Sequence, residues 1–275
     1  SSNADVMAYD MKTGEVRFRM ATGAEHVRVS GDAEWALYGN DVAFHLLDME
    51  RGKRVHSFGG RMDRLDSIDI SPDAYRAASF ESGGIVKLWD RESGRCFWSV
   101  DTGAKGYTGA VAFSACGEFL FAKGPQEKLV RICIADGSIL DEYAMAYENY
   151  TGIRTSSSGR YVLVGHMGKA AAILFDTMEG KVVFRSTLVE CNFPYSTDLA
   201  FAGDYVCCAG QDFTVRMIDW RNRPIVPVAG APGTELLRIP NAHRPIRISP
   251  NYRWLYTGSE KGDIYVWELD WELEI

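Results

Sequence analysis

No run of about eighteen apolar residues occurs in this 275-residue chain, and no charged-then-apolar leader opens it, so the sequence carries no mark for membrane insertion or secretion. Basic residues are too few for a broad nucleic-acid or anionic-membrane surface. Lys and Arg number 30 against 37 Asp and Glu, giving a net charge of −7 and a pI near 5.3. Neither nucleic acid nor membrane is therefore expected as a partner. The six cysteines (Cys96, Cys116, Cys133, Cys191, Cys207, Cys208) form no CxxC pair and no framework spacing. Reduced cysteines in apolar segments act as small hydrophobic residues, which favours a cytoplasmic location. The five histidines (His26, His45, His56, His166, His243) are scattered, without HExxH or a pairing to cysteine, so no metal and no cofactor is expected. There is no GxSxG elbow. Ser156-Ser157-Ser158-Gly159 reads as a hairpin, and Gly168-Lys169-Ala170 lacks both the hydroxyl and the upstream glycine of a phosphate loop. No catalytic residue is assigned, and the expected protein is not an enzyme.

What the chain does contain is a hydrophobic content of 46% with 12% aromatics, ample for a packed core. One stretch, Leu65–Val100, shows how that content is arranged. Short alternating apolar runs, Ser67–Ile70, Tyr75–Phe80, Ile85–Trp89 and Cys96–Val100, are separated by turn residues such as Ser71-Pro72-Asp73, Gly83-Gly84 and Ser93-Gly94. Four strands this short, with connections this tight, meander antiparallel. One such sheet cannot bury both its own faces and needs copies on either side.

The copies are countable at the end of the third run: VMAYD, FHLLD, VKLWD, VRICI, AILFD, VRMID and IYVWE, ending at residues 10, 48, 90, 134, 176, 219 and 268. The intervals are 38, 42, 44, 42, 43 and 49 residues. Gly14, Gly52, Gly94 and Gly180 each stand four places after the acid, where the turn into the next strand needs positive φ. A period in the forties, four strands per period and a Trp-Asp closing the third strand resemble the WD-repeat family, and the resemblance covers nearly the whole chain. It implies an all-β propeller of four-stranded antiparallel blades, seven in number with an incomplete first blade. Ser1–Ala4 reads as an expression-tag remnant and residues 5–275 as a single propeller domain. The first unit offers only Asp5–Asp10 and Glu15–Met20. In the fifth full unit the fourth strand is placed at Ile225–Val228, which leaves 229–244 as a long connecting loop. The last unit ends with a candidate strand at Trp271–Ile275. The closing WELDWELEI resembles propeller modules of large bacterial multidomain signalling proteins.

In the family, an Asp in the turn between second and third strands joins a His, a Ser or Thr and the strand Trp in a hydrogen-bonded set. Asp212 fits that turn, Trp89 and Trp267 match the Trp, and Asp90 closes the repeat, so these four are assigned structural roles. Sheets packed in a circle leave their rims for function. The resemblance places Arg61, Arg64, Lys105, Tyr107, Lys123 and Tyr147 on the rim that binds partners in such proteins. Tyr150, Lys169, Phe193, Tyr195, Arg244 and Lys261 fall on the same rim. Basic and aromatic side chains there suit a protein or peptide partner, acidic or phosphorylated. The leading function is thus a non-catalytic interaction scaffold. The alternatives are a propeller enzyme, hydrolase or lyase, with a central-channel site, and a structural module of a larger signalling protein.

Overall fold

A computed structural model describes residues 5–10, 13–59, 63–106, 109–145, 150–166, 171–187, 198–202, 205–209, 214–220, 234–240, 243–249, 251, 253–258 and 264–269. Its strands follow the alternating runs. The first sheet pairs β1 (Asp5–Tyr9) with β2 (Val16–Ala21). The second is β3 (His26–Val29), β4 (Trp35–Asn40), β5 (Ala43–Asp48) and β6 (Lys53–Phe58). The third is β7 (Leu65–Ile70), β8 (Arg76–Glu81), β9 (Ile85–Asp90) and β10 (Cys96–Asp101), and the fourth is β11 (Val111–Phe113), β12 (Phe119–Lys123), β13 (Lys128–Cys133) and β14 (Ile139–Ala144). The fifth comprises β15 (Tyr150–Thr155), β16 (Tyr161–His166), β17 (Ala171–Asp176) and β18 (Lys181–Thr187). The sixth comprises β19 (Asp198–Ala202), β20 (Tyr205–Ala209), β21 (Thr214–Asp219) and β22 (Thr234–Pro240). Three strands, β23 (His243–Ile248), β24 (Trp254–Gly258) and β25 (Ile264–Glu268), make the last. Every pairing is antiparallel between sequence neighbours, so five sheets have the four-stranded meander of a propeller blade.

One sequence assignment is corrected. The fourth strand of the sixth sheet is β22, seven residues inside the stretch read as a loop, with Thr214 opposite Pro240 and Asp219 opposite Thr234. The expected Ile225–Val228 and Trp271–Ile275 strands lie outside the described residues.

The chain divides into two compact units, residues 1–146 and 147–275. In the first, second strands are buried on both faces, as in β8, where Ala77 through Glu81 are all buried, because each sheet is covered by the next. Leu37, Phe44, Leu46 and Phe58 of the second sheet pack on Leu65, Ile68, Ala77 and Trp89 of the third. Phe44 and Phe58 stack with centroids 4.5 Å apart, and Trp89 meets both edge-on at 5.8 and 6.1 Å. Ala78, Phe80, Val86 and Leu88 then pack on Val111, Phe113, Leu120 and Val130 of the fourth. In the second unit Leu163, Leu174 and Phe184 form a core with Val206 of the sixth sheet.

A second, polar device repeats. In four sheets the acid at the end of the third-strand run accepts amides of its own turn: Asp10 from Thr13, Asp48 from Arg51, Asp90 from Ser93 and Asp176 from Glu179, at 2.8–3.1 Å. The glycines four places on have φ of 61–73°. In the first unit the turn glycines Gly52, Gly94 and Gly137 also lie against a ring from the preceding outer strand. A Cβ at Gly52 would stand 2.9 Å from Phe18 Cγ, one at Gly94 3.2 Å from His56 Cδ2, and one at Gly137 2.9 Å from Trp98 Cδ2. Trp98 Nε1 donates to the Ile134 carbonyl at 2.9 Å, fastening third sheet to fourth.

Candidate functional site

At the end of the sheets where first strands begin and second strands finish lie Arg64 and Lys105, two of the residues expected on the rim from sequence. In the first unit it is built around Arg64, just ahead of β7. The main chain there is tied on both sides: Leu65 N–H donates to the Asp41 carbonyl at 2.7 Å, and the Arg64 carbonyl accepts from Ser82 N–H at 2.7 Å. Arg64 is thus fixed between the β4–β5 turn of one sheet and the β8–β9 turn of its own. Its side chain, 52% exposed, has Nε 3.5 Å from Asp41 Oδ1 and 3.5 Å from Asp66 Oδ1.

Asp66 is the unusual member. It occupies the bulge where pairing shifts between Leu65 and Ser67, which turns its side chain inward to 3% exposure. Neither carboxylate oxygen takes a hydrogen bond. Burial pushes its pKa up to about 6, against the opposing pull of Arg64 and Lys123 and with help from the Asp41 charge. His26 on the adjoining first strand bonds the Leu65 carbonyl, and burial, with the Arg28 charge, lowers its pKa. Nearby, Glu81 and Lys87 form a buried ion pair at 2.6 Å.

Of the twelve rim residues read from sequence, Arg64 and Lys105 are exposed at this end. Lys123 is a correction: it is only 4% exposed, because second-strand ends are covered by the neighbouring connector, where Thr102 Oγ1 donates to the Lys123 carbonyl at 2.8 Å. Tyr150 lies in β15 and Arg244 in β23, their side chains outside the described residues. Arg61, Tyr107, Tyr147, Lys169, Phe193, Tyr195 and Lys261 are also outside them, as is Asp212.

The tryptophans read as structural have structural partners. Trp89 Nε1 donates to Ser79 Oγ and Trp267 Nε1 to Thr257 Oγ1, each at 3.0 Å from third strand to second. Sequence reasoning missed these acceptors, although both stand ten residues before their Trp. It also missed the rings at Phe18, His56 and Trp98, which recur four places after the turn glycine. Among the described residues no three His, Cys, Asp or Glu side chains converge to hold a metal ion. No described helix is long and apolar enough to cross a membrane.

Comparison with known proteins gives a consistent picture. Residues 235–268 match the family WD40 (WD domain, G-beta repeat), a span running from β22 through β25. Eukaryotic translation initiation factor 3 subunit I of Sclerotinia sclerotiorum is 24% identical over 191 residues, covering 64% of this chain and 55% of that protein. Autophagy-related protein 16 of Arabidopsis thaliana is 23% identical over 231 residues, covering 84% and 44%. The chain therefore spans about half the length of these curated relatives. Among solved structures, hydrazine synthase of Kuenenia stuttgartiensis superposes with a TM-score of 0.77 at 17% identity, covering 97% of this chain and 90% of that one. The Cps50 (Swd1) β-propeller domain of Myceliophteria thermophila gives 0.68 at 16% identity, covering 89% and 82%. At these identities the structural likeness concerns the fold alone.

Proposed function

Given that this chain is a WD-repeat β-propeller, we propose that it is a non-catalytic scaffold that docks a peptide or partner domain on the rim carrying Arg64 and Lys105. The observation that carries the reading is the setting of Arg64: a half-exposed side chain at the sheet ends, between Asp41 and Asp66, on a main chain held by hydrogen bonds of the Arg64 carbonyl and the Leu65 amide. A residue type favoured at binding hot spots is thereby presented without the entropy cost of ordering its backbone. The relatives support a role in assemblies, one being by name a subunit of a translation initiation factor. The finer reading takes the sheets as seven blades of one domain over residues 5–275, with partners that are protein or peptide, acidic or phosphorylated.

Catalysis is the second reading; the superposition on hydrazine synthase concerns the fold alone and assigns no chemistry. Fold does not carry chemistry with it, and no described constellation assigns a nucleophile or a base.

The test is affinity capture with purified wild type and an Arg64→Glu/Lys105→Glu variant of equal thermal stability. The variant is expected to retain about a tenth or less of the wild-type affinity for any captured partner. Equal affinity in both would overturn the assignment of this rim.

A further inference from the structure

The opposite end of the sheets, where turns join first strands to second and third to fourth, holds an arginine in a different setting. Arg91 follows Asp90 in the β9–β10 turn, and its guanidinium carbon lies 4.3 Å from the Trp35 ring centroid and 5.6 Å from that of Tyr75. Trp35 opens β4 of the preceding sheet and is half-buried. Tyr75, in the β7–β8 turn, is 66% exposed. The Arg91 amide donates to the Tyr75 carbonyl at 3.0 Å, which ties the two turns together. Rings from two sheets therefore fix the plane of a half-buried guanidinium.

Among the described residues, nothing accepts a hydrogen bond from that guanidinium. The acids whose charges reach it are engaged elsewhere. Asp32 accepts the Ser30 hydroxyl and the Glu34 amide, the latter at 3.0 Å, and Asp90 accepts the amide and hydroxyl of Ser93. The corresponding place in the sixth sheet is filled differently. Trp220 follows Asp219 as Arg91 follows Asp90, and it meets edge-on Tyr161, which opens β16 as Trp35 opens β4, with centroids 4.9 Å apart. A neutral ring there meets the packing requirement between sheets. Packing alone does not call for a planar cation with five donors.

We propose that Arg91, held by Trp35 and Tyr75, is a binding site for an oxyanion, the carboxylate or phosphate of a partner peptide. The guanidinium fork matches either group through two parallel N–H···O bonds. The flanking rings give apolar contact and keep its plane from turning. This rests on the scaffold reading and adds a second docking point on the other end of the sheets.

The test uses the full chain and three fluorescein-labelled pentapeptides, Ala-Glu-Ala-Glu-Ala, its phosphoserine counterpart and its Gln counterpart, titrated by anisotropy. Wild type is expected to bind one of the anionic peptides more tightly than the Gln peptide. Arg91→Gln is expected to weaken that binding about tenfold or more, with Arg91→Lys between them and Arg17→Gln, on the outer strand β2, unchanged. Saturable movement of the Arg91 Nε–H resonance on titration with inorganic phosphate or acetate gives a second readout without a variant. The preferred peptide distinguishes carboxylate from phosphate. Undiminished affinity in Arg91→Gln, or no preference of wild type for either anionic peptide, would overturn the site. Charge reversal at Arg64 and Lys105 reports on the other rim separately, so either reading can fail while the other stands.

Discussion

Asp66 links stability to pH. Its folded pKa, about 6, lies above the ordinary carboxylate value of 3.8, so between those two pH values the folded state holds a proton that the unfolded state has released. Stability from this group is therefore fully present below about pH 4 and lost as pH rises through about 6. Asp66→Asn is expected to raise stability at about pH 8 by roughly 1–2 kcal/mol and to leave it nearly unchanged at about pH 4, as urea denaturation at both pH values would show. A wild-type advantage at the higher pH would refute this. His56 gives a second case. Burial lowers its pKa and its Nε2 has no hydrogen-bond partner, while Phe18 and Trp98 fill the equivalent places with rings. His56→Phe is expected to stabilise by about 1 kcal/mol. Ala33 takes a positive φ of 59° where Gly117 and Gly159 stand in later sheets, and relieving that strain with Ala33→Gly is expected to gain roughly 0.5–1 kcal/mol. Residue identities alone could not separate Arg64 from Lys123. Both are basic and both project to one rim, yet exposure is set by what the next connector covers, and no local pattern encodes that.

At the scale of elements, the strands were legible because burial on a meander forces period-two alternation, and the turns because Asp and Gly recur in phase. Leu65–Val100 gave four strands whose described ends fall within a residue or two of those read. The exception is β22. Elsewhere the third-to-fourth turn is short and marked by glycine, as in Asp90–Gly94, but fourteen residues separate Asp219 from Thr234. With the glycine signal gone, the nearest apolar run was taken in place of the distant one. Hydrogen exchange can check the placement: alternate amides of Thr234–Pro240 should be protected through their pairing with β21. Uniformly fast exchange there would contradict it. Packing between sheets gives the element-level energy. Phe44, with no exposed surface and rings on two sides, should cost about 3–5 kcal/mol on replacement by Ala, read as a fall in the denaturation midpoint with an unchanged slope.

For the whole molecule, repeating a small sheet that cannot stand alone makes most side chains structural and leaves the turns to evolve. Phe44, Trp89 and the turn acids have interior work, whereas Arg64, Lys105, Tyr75 and Arg91 are presented at sheet ends by backbone that the neighbouring sheet immobilises. The family and the class of fold were legible because they depend on a period. The partner was not, because the proposed recognition rests on a few side chains from turns some forty residues apart. The most direct measurement places a photo-crosslinking residue at position 105, on the proposed rim, and in a separate protein at position 55, on an outer strand. Illumination with the native partner pool should join one discrete protein to position 105 and none to position 55. Equal labelling at the two positions, or labelling at 55 alone, would contradict docking at the rim.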